Sequence, residues 1–191
     1  PLRQLTGESG FNEVFFDHVR VPIGNVIGPL HEGWRVAMHT LSGERSRVLL
    51  LRRADAETAF NSLLASLRES AAEGASLSPE LTRRLGHVRV KLAVLDAQLR
   101  KTLERIESGS PPGPLDSVDR LVLTEVEQDV FGFAYDLLGP YRLASGERPF
   151  GLDPERWIHD YLYGRSYTIS GGTSQVQLNI VAERMLGLPR T

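Results

Sequence analysis

One apolar stripe restricts the fold more than any other feature of this chain. Leu81, Leu85, Val88, Leu92, Leu95, Leu99, Leu103 and Ile106 recur in steps of three and four residues. Side chains so spaced share one face of an α-helix and cannot share one face of a strand. The stripe opens on Ser78-Pro79-Glu80, which reads as N-cap, first helical residue and first-turn acid, and it stops at Gly109-Ser-Pro-Pro-Gly-Pro114. A helix with a single apolar face must bury it, so this one is core-forming rather than a coiled-coil seam.

Its neighbours predict the same period. Trp34, Met38, Leu41, Val48, Leu51, Ala59, Phe60, Leu63, Leu64 and Leu67 outline a helix reaching about Ser70, with Gly43 as an interior fault and Gly74 as a stop. A third helix is expected from Asp116, read as its N-cap, to Leu138, where Gly139-Pro140 ends it. Tyr141 to Asp153 reads as a loop, Pro154 opens a short helix, and a last helix follows Gly171-Gly172. Long helices with short connections give a mainly α fold, an antiparallel up-down bundle. Residues 10–28 differ: Val14, Phe16, Val19 and Val21 nearly alternate, which predicts a short extended, β-like piece that has to pack on something.

Composition removes several function classes. The 191 residues carry a formal net charge of −2, with no basic run interleaved with aromatics, so nucleic acid is not an expected partner. No apolar run approaches the roughly 20 residues of a membrane span. There is no cysteine, which removes disulfides and thiolate chemistry and suits a reducing, cytoplasmic setting. The five histidines lack close metal-ligand spacing, and no metal site is expected.

The segment Tyr163 to Arg190 is the most informative for function. Tyr167 and Ile169 read as a short strand-like step into the Gly171-Gly172 turn and then directly into a helix. Free N–H groups at a helix start favour an anionic or polar ligand, and Gly–Gly lets the backbone approach it. Two readings stay open on the residues alone: a ligand cradle, or a plain N-cap by Thr173 or Ser174.

The full string Gly171-Gly-Thr-Ser-Gln-Val-Gln-Leu-Asn-Ile180, with its continuation to Arg190, resembles the C-terminal signature of the acyl-CoA dehydrogenases. Phe11-Asn-Glu-Val-Phe-Phe-Asp-His-Val-Arg-Val-Pro22 and Glu32-Gly-Trp-Arg-Val-Ala-Met38 resemble that family's passage from its middle β-domain into the first C-terminal helix. The resemblance implies that residues 1–30 are terminal strands of an incomplete β-domain and that residues 31–191 form the C-terminal helical domain. It further implies the C-terminal half of a longer protein.

The family's activity, α,β-desaturation of an acyl-CoA thioester with FAD as hydride acceptor, needs a base for the α-proton. Many members carry that glutamate directly before the Gly-Thr of the tail; here the position is Gly171. A minority branch places it in a Glu-Arg pair on the first C-terminal helix, and Leu41-Ser-Gly-Glu-Arg-Ser46 matches that pattern. By this resemblance Glu44 is the catalytic base, Arg45 and Gly171 contact substrate, and Gly172, Thr173, Ser174 and Gln175 contact FAD. Tyr167 and Ile169 border the flavin or the thioester. The expected partners are the acyl-CoA, an electron-acceptor flavoprotein and other subunits, in a homodimer, homotetramer or heterotetramer.

Two departures stand out. The family's Arg-x-x-Phe-Gly element is absent, since the chain reads Arg68-Glu-Ser-Ala-Ala-Glu-Gly74, and the Gly-rich element is reduced to Leu137-Leu-Gly-Pro-Tyr141. These keep two rivals in view: a non-catalytic scaffold subunit of a heteromeric dehydrogenase, and an oxidase-like relative. The chain alone is expected to fold as a bundle without FAD and without activity.

Overall fold

The helix that carries the stripe runs over Pro79–Glu107 (α2, following α1 at Gly33–Ala72) in the computed structural model of the protein. The structure describes residues 1–111, 113–143 and 146–190, and the side chains of residues 42–48 lie outside the described residues. Ser78 caps α2 as expected, its Oγ accepting from the N–H of Leu81 at 3.2 Å. Val88, Leu92, Leu95 and Leu99 are buried, Leu81, Leu85 and Leu103 pack at the margin of the core, and Ile106 at the end of the stripe is exposed.

The centre of the bundle is α3 (Leu115–Leu138), which packs against α1, α2, α4 (Pro154–Tyr163) and α5 (Ser174–Arg184). A helix surrounded on several sides loses its polar face, and Leu123, Val126, Val130, Phe131, Phe133, Ala134, Leu137 and Leu138 are all buried. The start of α3 differs from the expectation. Pro114 holds the cap position, and Asp116 lies inside the first turn, where its carboxylate accepts from the N–H of Gly113 at 2.9 Å. Asp116 also pairs with Arg105 of α2, as does the buried Asp119, which in addition accepts from Thr102 and Gln98. This network ties the end of α2 to the start of α3.

The long α1 behaves as two pieces. Leu49, Ala56, Ala59, Phe60, Leu63 and Leu67 are buried, whereas Trp34, Met38, Leu41 and Leu51 are exposed. Forty residues at 1.5 Å rise make α1 about 60 Å long, against about 36 Å for α3, so α1 is too long for α3 to cover all of it. The preceding segment is equally uncovered, with Phe15, Phe16, Ile23 and Ile27 exposed. Its extended character is realised as one isolated antiparallel bridge, Leu2–Phe11, and the described residues contain no sheet. A lone extended segment without a partner edge cannot build a ladder.

Two further readings are corrected. Among the described residues, the Tyr141–Asp153 connection is entered through a 3₁₀ turn at Gly139–Leu143 and holds another at Pro149–Gly151. The step through Tyr167 is not a strand: residues Gly164–Thr168 form a 3₁₀ helix, and Ser166 O accepts from the N–H of both Ile169 and Ser170. A three-residue alternation is too short to choose a strand when no strand is available to pair with it.

Candidate cofactor and active site

Gly171 and Gly172 adopt φ of +64° and +102°, values that L side chains rarely take, and they turn the chain from the 3₁₀ helix into α5. Thr173 is the N-cap of α5, its Oγ1 accepting from the N–H of Val176 at 3.2 Å. The N–H groups of Ser174 and Gln175 have no acceptor within the helix, as at every helix start. The plain-cap reading of Thr173 is therefore met, and it leaves a ligand role open, because a hydroxyl that accepts one hydrogen bond still has its own proton to donate.

The turn rests on a polar floor. Gln177 is 1% exposed, and its Nε2 donates to the carbonyls of Gly171 at 3.4 Å and Gly172 at 3.3 Å. On the other side, an ideal Cβ at Gly171 would meet Arg120 Nη1 of α3 at 3.2 Å, so a guanidinium stands where a side chain at 171 would begin. Arg120 Nη2 also donates to the Tyr167 carbonyl at 3.1 Å. Gln128, two helical turns further along α3, donates to the Gly164 carbonyl and to Thr168 Oγ1.

Behind this lies a buried acid. Glu127 of α3 is 1% exposed, and Arg52 of α1 grips both of its oxygens, Nε at 2.9 Å from Oε1 and Nη2 on Oε2. Burial pushes the Glu127 carboxyl up to about 7, against the opposing pull of Arg52 and Arg120. The Arg52 guanidinium also lies 3.9 Å from the centroid of the Tyr167 ring. Burial, together with the negative charge of Glu127, pushes the Tyr167 hydroxyl up to about 12. Thus α1 and the turn segment meet through Arg52, Glu127 and Tyr167.

The structure brings together Gly171, Gly172, Thr173, Ser174 and Gln175 at one helix start; Gly171 and Gln175 are exposed, and Gly172, Thr173 and Ser174 are half-buried. Ile169 is exposed and Tyr167 half-buried beside them. Glu44 and Arg45 belong to α1, two turns upstream of Arg52 in sequence, and their side chains lie outside the described residues. Sequence reasoning missed Gln177, Arg120, Arg52 and Glu127. For Glu127 a signal existed: it follows Leu123 by four residues on the buried face of α3, and a charge in that register demands a partner. Among the described residues no group of three or more His, Asp or Glu could hold a metal ion.

The donor set fits a flavin. The turn carries glycines, which put no Cβ between the backbone and a ligand, free N–H groups at the positive end of a helix, and hydroxyl and amide side chains from Thr173, Ser174 and Gln175. If Gly172 bore a side chain, its Cβ would collide with Gln177 Nε2 at 2.6 Å.

Comparison with known proteins agrees with the sequence resemblance. The family model described as acyl-CoA dehydrogenase, C-terminal domain, matches residues 31–186. Acyl-CoA dehydrogenase IpdE1 of Mycolicibacterium smegmatis is 34% identical over 190 residues, which is 100% of this chain and 45% of the relative. Acyl-CoA dehydrogenase FadE34 of Mycobacterium tuberculosis is 36% identical over 191 residues, 100% of this chain and 24% of the relative. The chain thus spans less than half the length of these curated relatives. Among solved structures, a Tcur3481-Tcur3483 steroid ACAD superposes with a TM-score of 0.78 at 22% identity, covering 100% of this chain and 48% of that one. Butyryl-CoA dehydrogenase from Megasphaera elsdenii superposes with a TM-score of 0.68 at 21% identity, covering 90% of this chain and 43% of that one. At these identities the superpositions establish the shared fold.

Proposed function

The chain belongs to the acyl-CoA dehydrogenase family through its C-terminal helical domain, and from that premise we propose that it serves an FAD-dependent dehydrogenase that desaturates an acyl-CoA thioester between Cα and Cβ. FAD, when bound, supplies the hydride acceptor. Thr173 and Gln175 hold it by side-chain hydrogen bonds, with Gly172 and Ser174 offering backbone N–H groups. Gly171 and Arg45 contact the thioester, and Glu44 takes the proton from Cα. An acceptor flavoprotein removes the electrons, and the working unit is a homodimer, homotetramer or heterotetramer in the cytoplasm.

The observation that carries this reading is the charge of the turn at Gly171. Position 171 has no side chain, and the Arg120 guanidinium borders the space one would fill. A base must therefore come from another element. Glu127 is a poor candidate, because it is buried and Arg52 occupies both of its oxygens. Glu44, in the Glu-Arg pair of α1, is the carboxylate whose sequence context fits. An acyl chain packed against it would exclude water and raise its pKa toward the working range of a base.

The test is Glu44→Gln in the flavoenzyme that carries this chain. Turnover is expected to fall about 10²–10⁴-fold, the contribution of a positioned base, while flavin content and thioester affinity stay at wild-type levels. Activity within a factor of two of wild type would remove Glu44 from the mechanism.

A further inference from the structure

We propose that Gln177 is the positioning residue of the ligand-facing turn, fixing the direction in which the N–H groups of Gly172 and Thr173 point. The inference rests on the flavin reading above only for the identity of the ligand; the fixing of the turn stands on this chain's own atoms.

Consecutive glycines make the weakest kind of backbone. Each reaches positive and negative φ at similar cost, so the peptide planes on both sides of Gly172 can flip without a steric penalty. The structure counters this with one side chain. Gln177 Nε2 donates to the carbonyl of the 171–172 peptide and to the carbonyl of the 172–173 peptide. Two carbonyls in front of the amide also settle which end faces them, since only the –NH₂ end can donate. Every peptide here is trans, so each N–H points opposite its own C=O. With both carbonyls drawn toward Gln177, the N–H groups of Gly172 and Thr173 are turned away from it. They then stand beside those of Ser174 and Gln175 at the positive end of α5, a row suited to a ligand that offers oxygen or nitrogen acceptors.

Three observations bear on this role. Gln177 is 1% exposed, so its amide is shielded from water while it holds the two carbonyls. Its partner amide atom, Oε1, makes no hydrogen bond among the described residues, so the side chain is not held in place by a wider network. The fit is tight enough that a Cβ at Gly172 would lie 2.6 Å from Nε2, which couples the glycine and the glutamine as one device. Thr173 caps α5 independently, through Val176, so the helix start itself does not need Gln177.

The test uses Gln177→Leu and Gln177→Glu. In amide NMR spectra of the chain, Gly172 and Thr173 should each give one sharp signal in the wild type and broadened or doubled signals in Gln177→Leu. Gln177→Glu should behave like Gln177→Leu at pH 8, where a carboxylate only accepts, and should regain part of the wild-type pattern near pH 5, where burial keeps the carboxyl protonated and its one O–H donates to one of the two carbonyls. A mere loss of packing would give no such pH rescue. In the flavoenzyme carrying this chain, FAD release should quicken about tenfold in Gln177→Leu, the effect of a lost hydrogen bond or two, with the melting temperature held. Wild-type Gly172 and Thr173 signals in both variants at both pH values would overturn the proposal. Altered signals with unchanged FAD release would uphold the positioning role and count against the flavin assignment of this turn. If Gln177→Leu fails to fold, the pH 5 and pH 8 comparison of Gln177→Glu decides alone.

Discussion

The α2 stripe and the turn between Gly164 and Thr173 both pack on α3, yet they are held by opposite means. The stripe is held by burial: Val88, Leu92, Leu95 and Leu99 give up only apolar surface. The turn is held by directed polar contacts, from Arg120 to Tyr167, from Gln128 to Gly164 and Thr168, and from Gln177 to Gly171 and Gly172. Burial is non-directional and tolerates substitution by volume, whereas hydrogen bonds fix orientation. The difference separates a part of the molecule that is held by its volume from a part whose backbone direction is fixed.

The largest effect is expected in the stripe. Leu95→Ala removes a side chain that is 1% exposed and should cost about 2–5 kcal/mol of unfolding free energy, read by chemical denaturation. If the two regions are as distinct as their chemistry suggests, the variant that still folds should keep its Gly172 and Thr173 NMR signals unchanged. A shift there would blur the distinction.

A second experiment concerns the charge beneath the turn. Gly171→Glu in the Glu44→Gln background puts a carboxylate where many family members carry their base, but beside Arg120. The ion pair should hold that carboxylate ionised and pinned, so recovery of turnover is expected to be small. Adding Arg120→Leu should enlarge it. Equal recovery with and without Arg120 would show that the guanidinium does not govern position 171.

The buried acid predicts the direction of a pH effect. The Glu127 carboxyl lies near 7 in the folded chain, against 4.5 in its ordinary state. Between these values the folded chain binds more protons than the unfolded one, so stability falls as pH rises. The contribution is fully present below about 4.5 and is lost as pH passes 7. Denaturation midpoints should therefore drop between pH 5 and pH 8, and Glu127→Gln should flatten that slope. A wild-type slope of the opposite sign, or one unaffected by the substitution, would contradict the assignment.

The smallest effect belongs to Thr173 and Gln175. Thr173→Ala and Gln175→Ala should each weaken FAD retention by about 0.5–1.5 kcal/mol in the flavoenzyme, measured by dilution and release. Unchanged retention in both would leave Thr173 as a cap of α5 only.

How much of this was legible in the sequence follows the same division. The α2 stripe, the Ser78 cap and the Gly171-Gly172 turn are local, and period and turn chemistry display them directly. Arg52 and Glu127 are 75 residues apart, and Arg120 and Tyr167 are 47 apart, so their pairing depends on helix packing that no local pattern encodes. Asp116 misled because Pro114 takes the cap and lets the acid serve from the first turn. Gln177 stayed hidden because a glutamine two residues after Gln175 looks like helix surface, and only the closeness of the Gly172 carbonyl reveals its use. The exposure of Trp34 and Leu51 was likewise invisible, since a periodic pattern says which face is apolar but not whether anything covers it.

On the proposed function, the α-proton base comes from α1 and not from the turn. The most direct measurement is exchange of the α-proton of a bound acyl-CoA with D₂O, followed by NMR in the flavoenzyme that carries this chain, for the wild type and for Glu44→Gln. Exchange is expected in the wild type and should fall by at least about a hundredfold in Glu44→Gln, with thioester binding intact. Exchange at the wild-type rate in Glu44→Gln would contradict the account and place the base elsewhere.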